Sequence, residues 1–227
     1  MKIHAAAPGR ALRTFTVDAL LFDLDGTLID STPATERAWR LWGERMGLEG
    51  FRYGSHGMPA QALVTRHIEP KRQAEAFELI KALELADTGG VVRKDGAVEL
   101  LASLPAGSWT IVTSCTLDLA LARMAAAGVA RPEHLVTADQ VLDGKPHPEP
   151  FLLGASRLGV DISRCLVVED APAGLTSGRA AGAVTLAVVG TQMASELDAD
   201  HTVHSLADVS ATRLPDGRIQ VSLRPAG

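Results

Sequence analysis

Asp23-Leu24-Asp25-Gly26-Thr27 sets two carboxylates directly behind an apolar run, residues 17–22 (VDALLF). Acids crowded at the end of a buried run repel each other and lose hydration, and a divalent cation relieves both costs. Mg²⁺ suits such a place because it takes hard oxygen ligands and keeps several waters. Gly26 lets the backbone turn tightly, and free N–H groups in such a turn can hold an anion. One carboxylate beside Mg²⁺ would then attack a phosphorus while its neighbour handles protons. The same five residues also read as a plain turn or helix cap.

Three more places carry polar groups suited to the same chemistry, two of them behind apolar runs. Thr113-Ser114 offers hydroxyls that hydrogen-bond phosphate oxygens, although alone the pair also reads as an ordinary helix cap. Lys145 stands in Gly144-Lys145-Pro146-His147-Pro148, where glycine and proline restrict it just before a helix. There it would neutralise both a nucleophile and a transferring phosphoryl group. Glu169-Asp170 is a second pair of acids behind a buried run, residues 165–168, and reads as metal ligands by the same desolvation reasoning. Cys115, beside Thr113-Ser114, reads as packing.

These groups converge only if the runs are strands of one open parallel sheet, whose C-terminal ends border a ligand crevice. The runs at 17–22, 109–112, 134–137, 165–168 and 184–189 are the strands. Helical patterns lie between them: Thr116 to Gly128, Pro148 to Gly159, and Pro172 to Gly182. This alternation specifies an α/β fold with a doubly wound, mostly parallel, Rossmann-like sheet. Residues 209–213 and 219–223 flank Pro215-Asp216-Gly217 and read as a terminal β-hairpin.

Residues 32–95 break the alternation. Trp39, Trp42 and Met46 recur at helical spacing after Thr32-Pro33. A second pattern starts near Pro59 with Leu63, Val64 and Ile68, and a third spans 71–86 with Phe77, Ile80 and Leu83. This is an inserted α-helical domain suited to a lid, with its aromatic stripes read as its own core. Residues 1–31 and 96–227 form the expected catalytic core.

The 227 residues hold 22 Lys plus Arg against 27 Asp plus Glu, a net charge of −5, so no basic surplus points to nucleic acid. At 46% hydrophobic and 22% charged, the chain is globular rather than disordered. Two cysteines exclude a disulfide framework and fit a reducing compartment, and no window approaches ~20 apolar residues. A cytoplasmic protein without membrane partners is expected.

Taken together, the residues resemble the haloacid dehalogenase superfamily. Residues 23–31 (DLDGTLIDS) match its first motif and Thr113 its second. Lys145 in GKPHPEPF matches the third, and 168–174 (VEDAPAG) the fourth. The helical insertion after Ser31 resembles the subclass with an α-helical cap. The stretches VTSCT, VVEDAPAG and HSLADVSATRLPDGRIQV look most like bacterial sugar and hexitol phosphatases.

The resemblance implies a monomeric, Mg²⁺-dependent phosphatase acting on a small phosphorylated sugar or polyol. Asp23 would be the nucleophile, forming an aspartyl-phosphate, and Asp25 the proton donor and then the base. Mg²⁺ would sit on the Asp23 carboxylate, the Asp25 carbonyl, Asp170 and Glu169, the last directly or through water. Thr113, Ser114 and Lys145 would hold phosphoryl oxygens. His56, in a loop of the cap, is a candidate substrate contact, although it also reads as a turn histidine. The rival readings are a β-phosphoglucomutase-type mutase and a silent phosphometabolite-binding protein. The mutases place a histidine where this chain has Thr35.

Overall fold

The computed structural model describes residues 12–54, 60–190 and 192–224. The chain runs β1 (Arg13–Val17), β2 (Ala19–Phe22), β3 (Ile29–Asp30), α1 (Thr32–Met46), α2 (Ala60–His67), α3 (Gln73–Ala86) and β4 (Val92–Arg93). It continues through α4 (Ala97–Ser103), β5 (Trp109–Val112), α5 (Leu117–Ala127), β6 (Leu135–Val136) and α6 (Glu149–Leu158). It closes with β7 (Cys165–Glu169), α7 (Pro172–Ala181), β8 (Val184–Val188), β9 (His201–Val203), β10 (Val209–Arg213) and β11 (Ile219–Leu223).

Six strands form one sheet in the order β6-β5-β2-β7-β8-β9, and every pairing in it is parallel. All C-terminal strand tips therefore point the same way. Strand residues alternate between the two faces. Leu20, Phe22, Leu166 and Val168 pack on one side with residues of α4 and α5. Ala19, Leu21, Cys165 and Val167 pack on the other with Phe151 and Ala155 of α6. Helices on both faces explain why the central strands read as unbroken apolar runs. Burying each large apolar side chain is worth about 1.5–3 kcal/mol over leaving it exposed.

The sequence reading differs from the structure at Asp18. Residues 17–22 are not one strand: β1 ends at Val17 and β2 starts at Ala19. Asp18 turns away to Arg164, whose guanidinium lies 2.8 Å from its carboxylate. β1 then leaves the parallel sheet and pairs antiparallel with β11, which also pairs with β10. The terminal hairpin thus gains a third strand from the opposite end of the chain.

The chain leaves and re-enters the core through the short β3–β4 pair, with Ile29 opposite Arg93 and Asp30 opposite Val92. Between these strands lie α1, α2 and α3. They share a separate apolar cluster built on Ala38, Trp39, Trp42, Leu63, Val64, Ala76 and Ile80. Trp39 and Trp42 meet edge to face at 5.0 Å, and Trp42 Nε1 donates to the Ala76 carbonyl at 2.8 Å. No helix among the described residues is long and apolar enough to cross a membrane.

Candidate active site

β2, β5 and β7 are neighbours in the sheet, so the segments behind them meet. Asp23 follows β2, Thr113 and Ser114 follow β5, and Glu169 ends β7 with Asp170 just beyond. Lys145 reaches the same spot from the loop before α6. Asp23, Asp25, Thr113, Ser114, Lys145, Glu169 and Asp170 all line one cavity of about 210 Å³. His56 falls outside the described residues.

Lys145 is the centre of the first cluster, with only 5% of its surface exposed. Its ammonium donates to Asp23 Oδ1 at 2.7 Å, to Glu169 Oε1 at 2.8 Å and to the Val112 carbonyl at 2.8 Å. An ammonium has three hydrogens, so Lys145 is fully engaged. Burial works against its charge, but Asp23 and Glu169 outweigh this and hold its pKa above the ordinary lysine value. Glu169 is also fixed from the other side: its Oε2 accepts from the main-chain N–H of Asp170 and of Ala171 at 2.9 and 3.0 Å. Thr27 Oγ1 donates to Asp170 Oδ1 at 3.3 Å.

One lysine does not balance this cluster. Asp23, Glu169 and Asp170 each offer a carboxylate oxygen, all within 4.8 Å of one another, and all three residues are buried. Burial first, and then the charges of Glu169 and Asp170, push the Asp23 pKa well above the ordinary aspartate value, with Lys145 pulling against them. The donor set is hard oxygen with surplus negative charge, which fits a small divalent cation such as Mg²⁺. Two glycines keep the space tight. Gly26, at φ +93°, could not carry a Cβ without striking the Asp170 carboxylate, and a Cβ on Gly174 would strike Glu169.

A second cluster lies beside the first and was not foreseen. Asp25 Oδ2 accepts from the Cys115 thiol at 2.9 Å, and Oδ1 accepts from Arg123 Nη1 at 2.9 Å. Cys115, read as packing, therefore also donates. Burial and the nearby Asp25 push its pKa well up, which keeps it a thiol. Arg123 comes from α5, and its Nη2 donates to Thr35 Oγ1 at 2.9 Å and Glu84 Oε1 at 3.2 Å. Burial raises the Glu84 pKa, with Arg123 opposing and Asp25 adding to the rise. The sequence did carry a signal for Arg123. It falls on the buried stripe of α5, among Leu119, Ala120, Met124 and Ala127, where a basic residue must have partners.

Two other local readings change. Thr116 precedes α5 but its side chain makes no cap bond; the Leu117 N–H is taken instead by Asp139 at 3.1 Å. The aromatic stripes of the insertion do pack as its core, yet Trp39 and Phe77 also line the cavity, with Tyr53, Lys81 and Glu84 near them. The cavity thus has a charged floor at the strand tips and a mixed aromatic and polar roof from the insertion.

An open parallel sheet with acids and a lysine gathered at its strand tips, roofed by inserted helices, defines a class of hydrolase. The family model described as haloacid dehalogenase-like hydrolase matches residues 17–182. The chain belongs to that family. It is 41% identical over 207 residues to hexitol phosphatase A of Escherichia coli (strain K12), covering 88% of this chain and 96% of that protein. It is 35% identical over 189 residues to glycerol-1-phosphate phosphohydrolase 2 of Saccharomyces cerevisiae, covering 77% and 76%. A solved hydrolase from Pseudomonas syringae superposes with a TM-score of 0.75 at 26% identity, covering 84% of this chain and 95% of that one.

Proposed function

We propose that this chain is a phosphoric monoester hydrolase for small phosphorylated sugars or sugar alcohols, working with Mg²⁺ through an aspartyl-phosphate on Asp23. The observation that carries this reading is the buried Lys145 ammonium, 2.7 Å from Asp23, with Glu169 and Asp170 at the adjoining strand tip. The relatives support the substrate class, being named for hexitol phosphatase and glycerol-1-phosphate phosphohydrolase activity. In this reading residues 32–95 are a cap over a core formed by 1–31 and 96–227.

Asp23, Asp170 and the main-chain carbonyl of Asp25 would hold the cation, with Glu169 contributing through water. When bound, the cation supplies positive charge to the Asp23 carboxylate and the phosphoryl oxygens. Lys145 holds Asp23 in place and adds fixed positive charge beside the transferring group. Ser114 is exposed to the cavity and donates to a phosphoryl oxygen. Thr113 Oγ1 accepts from the Cys115 N–H at 3.1 Å, which leaves its hydrogen to do the same.

An Asp23 carboxylate oxygen bonds to phosphorus as the ester oxygen departs. Asp25, in its acid form, gives its proton to that oxygen, and the alcohol leaves. Asp25, now a carboxylate, takes a proton from water as the water oxygen attacks the same phosphorus. The bond from phosphorus to Asp23 breaks, releasing phosphate and restoring both side chains.

Position 35 disfavours the mutase reading. Thr35 offers no imidazole, and its hydroxyl oxygen is engaged by Arg123. β-Glucose 1-phosphate is therefore expected to be hydrolysed or ignored, not isomerised. The test is phosphate release from hexose, pentose, hexitol and glycerol phosphates, with and without Mg²⁺. Release should require Mg²⁺, and Asp23→Asn should lower it at least about 10³-fold. Wild-type turnover in that variant would contradict the assignment.

A further inference from the structure

We infer that Arg123 is a positioning residue that sets the Asp25 carboxylate and ties its placement to the seating of the inserted helices. This rests on the reading of Asp25 as the proton-transfer group. Arg123 is only 4% exposed and sits in the middle of α5, a core helix. Its two terminal nitrogens face different bodies. Nη1 holds Asp25 Oδ1 on the core side, whereas Nη2 holds Thr35 of α1 and Glu84 of α3 on the insertion side.

A planar guanidinium passes a change on one arm to the other, because both nitrogens turn together. When α1 and α3 are seated, Thr35 and Glu84 fix the plane of the guanidinium, and that plane fixes Asp25 Oδ1. The thiol of Cys115 holds the other oxygen, Oδ2, so the whole carboxylate is oriented. If the insertion lifts, the Nη2 arm loses both acceptors and Asp25 loses its fixed partner. The arrangement is not the one that burial alone would favour: Arg123 Nε is buried and has no hydrogen-bond partner among the described residues. A buried cation with an unused donor is costly, so the placement serves the two arms rather than packing.

A misplaced Asp25 should slow the later water step for all substrates, but the first, alcohol-releasing step only for those whose leaving oxygen needs a proton. An alkyl ester such as a hexitol phosphate needs one; p-nitrophenyl phosphate, whose phenolate leaves unaided, does not. The experiment is rapid-mixing kinetics with both esters and saturating Mg²⁺ on wild type, Arg123→Met, Arg123→Lys and Glu84→Gln. For Arg123→Met, alkyl-ester cleavage should fall about 100-fold. The first burst of nitrophenolate should stay within about threefold of wild type, followed by a slowed steady state.

Arg123→Lys should recover part of the alkyl rate, since one ammonium can reach Asp25 but cannot span both arms. Glu84→Gln should show the same split between esters at about a tenfold loss, and it carries the test if Arg123→Met does not fold. Equal losses on both esters in the first turnover, or no loss on either, would overturn the positioning role. Asp25→Asn separates this from the reading beneath it. If that variant shows no difference between the two esters, the proton-transfer assignment itself fails, whatever Arg123 does.

Discussion

Lys145 and Arg123 are both buried cations among carboxylates on the same cavity, yet they are held in opposite ways. Lys145 takes all of its partners from the core: Asp23 after β2, the Val112 carbonyl in β5 and Glu169 in β7. Those strands are adjacent and hydrogen-bonded, so the cluster is as rigid as the sheet. Arg123 takes two partners from the core, Asp25 and Cys115, and two from the insertion, Thr35 and Glu84. A point charge with three hydrogens suits the first task, and a planar fork suits the second. In the proposed mechanism, bond-making charge belongs on the sheet, and coupling between bodies belongs where the bodies meet.

Removing Lys145 should give the largest effect. Lys145→Met leaves Asp23 and Glu169 buried without their cation, so kcat/KM should fall about 10³-fold on alkyl and aryl esters alike. Stability in the absence of Mg²⁺ should fall by about 3–5 kcal/mol, read from urea unfolding. A selective loss on alkyl esters would erase the contrast with Arg123.

The next effect concerns the cation. Mg²⁺ at 100 times its Kd should stabilise the wild-type fold by about 2.7 kcal/mol, seen as a raised Tm. Asp170→Asn should abolish most of that rise, whereas Arg123→Met should keep it, because Arg123 touches none of the three clustered acids. A rise that vanishes in Arg123→Met would merge the two clusters into one.

The smallest effect serves as a control away from both. Burial first, and then Arg13, push the His201 pKa below the ordinary 6.5. His201 stacks on Phe15 at 4.6 Å, tying β9 to the three-stranded sheet. As pH falls through 6.5 the unfolded chain binds the proton first, so this contribution is whole above 6.5 and drains away below it. Wild type should therefore lose slightly more stability than His201→Phe between about pH 8 and about pH 5.5. An equal loss would remove His201 from the account and leave the two clusters untouched.

The strand-tip cluster was legible because each member sits directly behind an apolar run or between glycine and proline, and a parallel sheet puts all such positions at one edge. The Asp25–Arg123 cluster was not, because its contacts span 98, 88 and 39 positions and join α5 to the turn after β2 and to inserted helices whose docking no local pattern specifies. The arginine on the buried stripe of α5 signalled that partners exist without naming them. Residues 17–22 were misread for a related reason. A polar residue inside an apolar run passes as tolerated until the partner that turns it outward, here Arg164, is known.

In the proposed mechanism Asp23 itself accepts the phosphoryl group. Acid-quenching the enzyme during turnover of a hexitol phosphate with Mg²⁺, followed by peptide mass analysis, tests it directly. A phosphoryl group on the peptide bearing Asp23, absent from Asp23→Asn, is the predicted result. An unmodified Asp23 peptide in an enzyme that is turning over, together with turnover by Asp23→Asn, would contradict it.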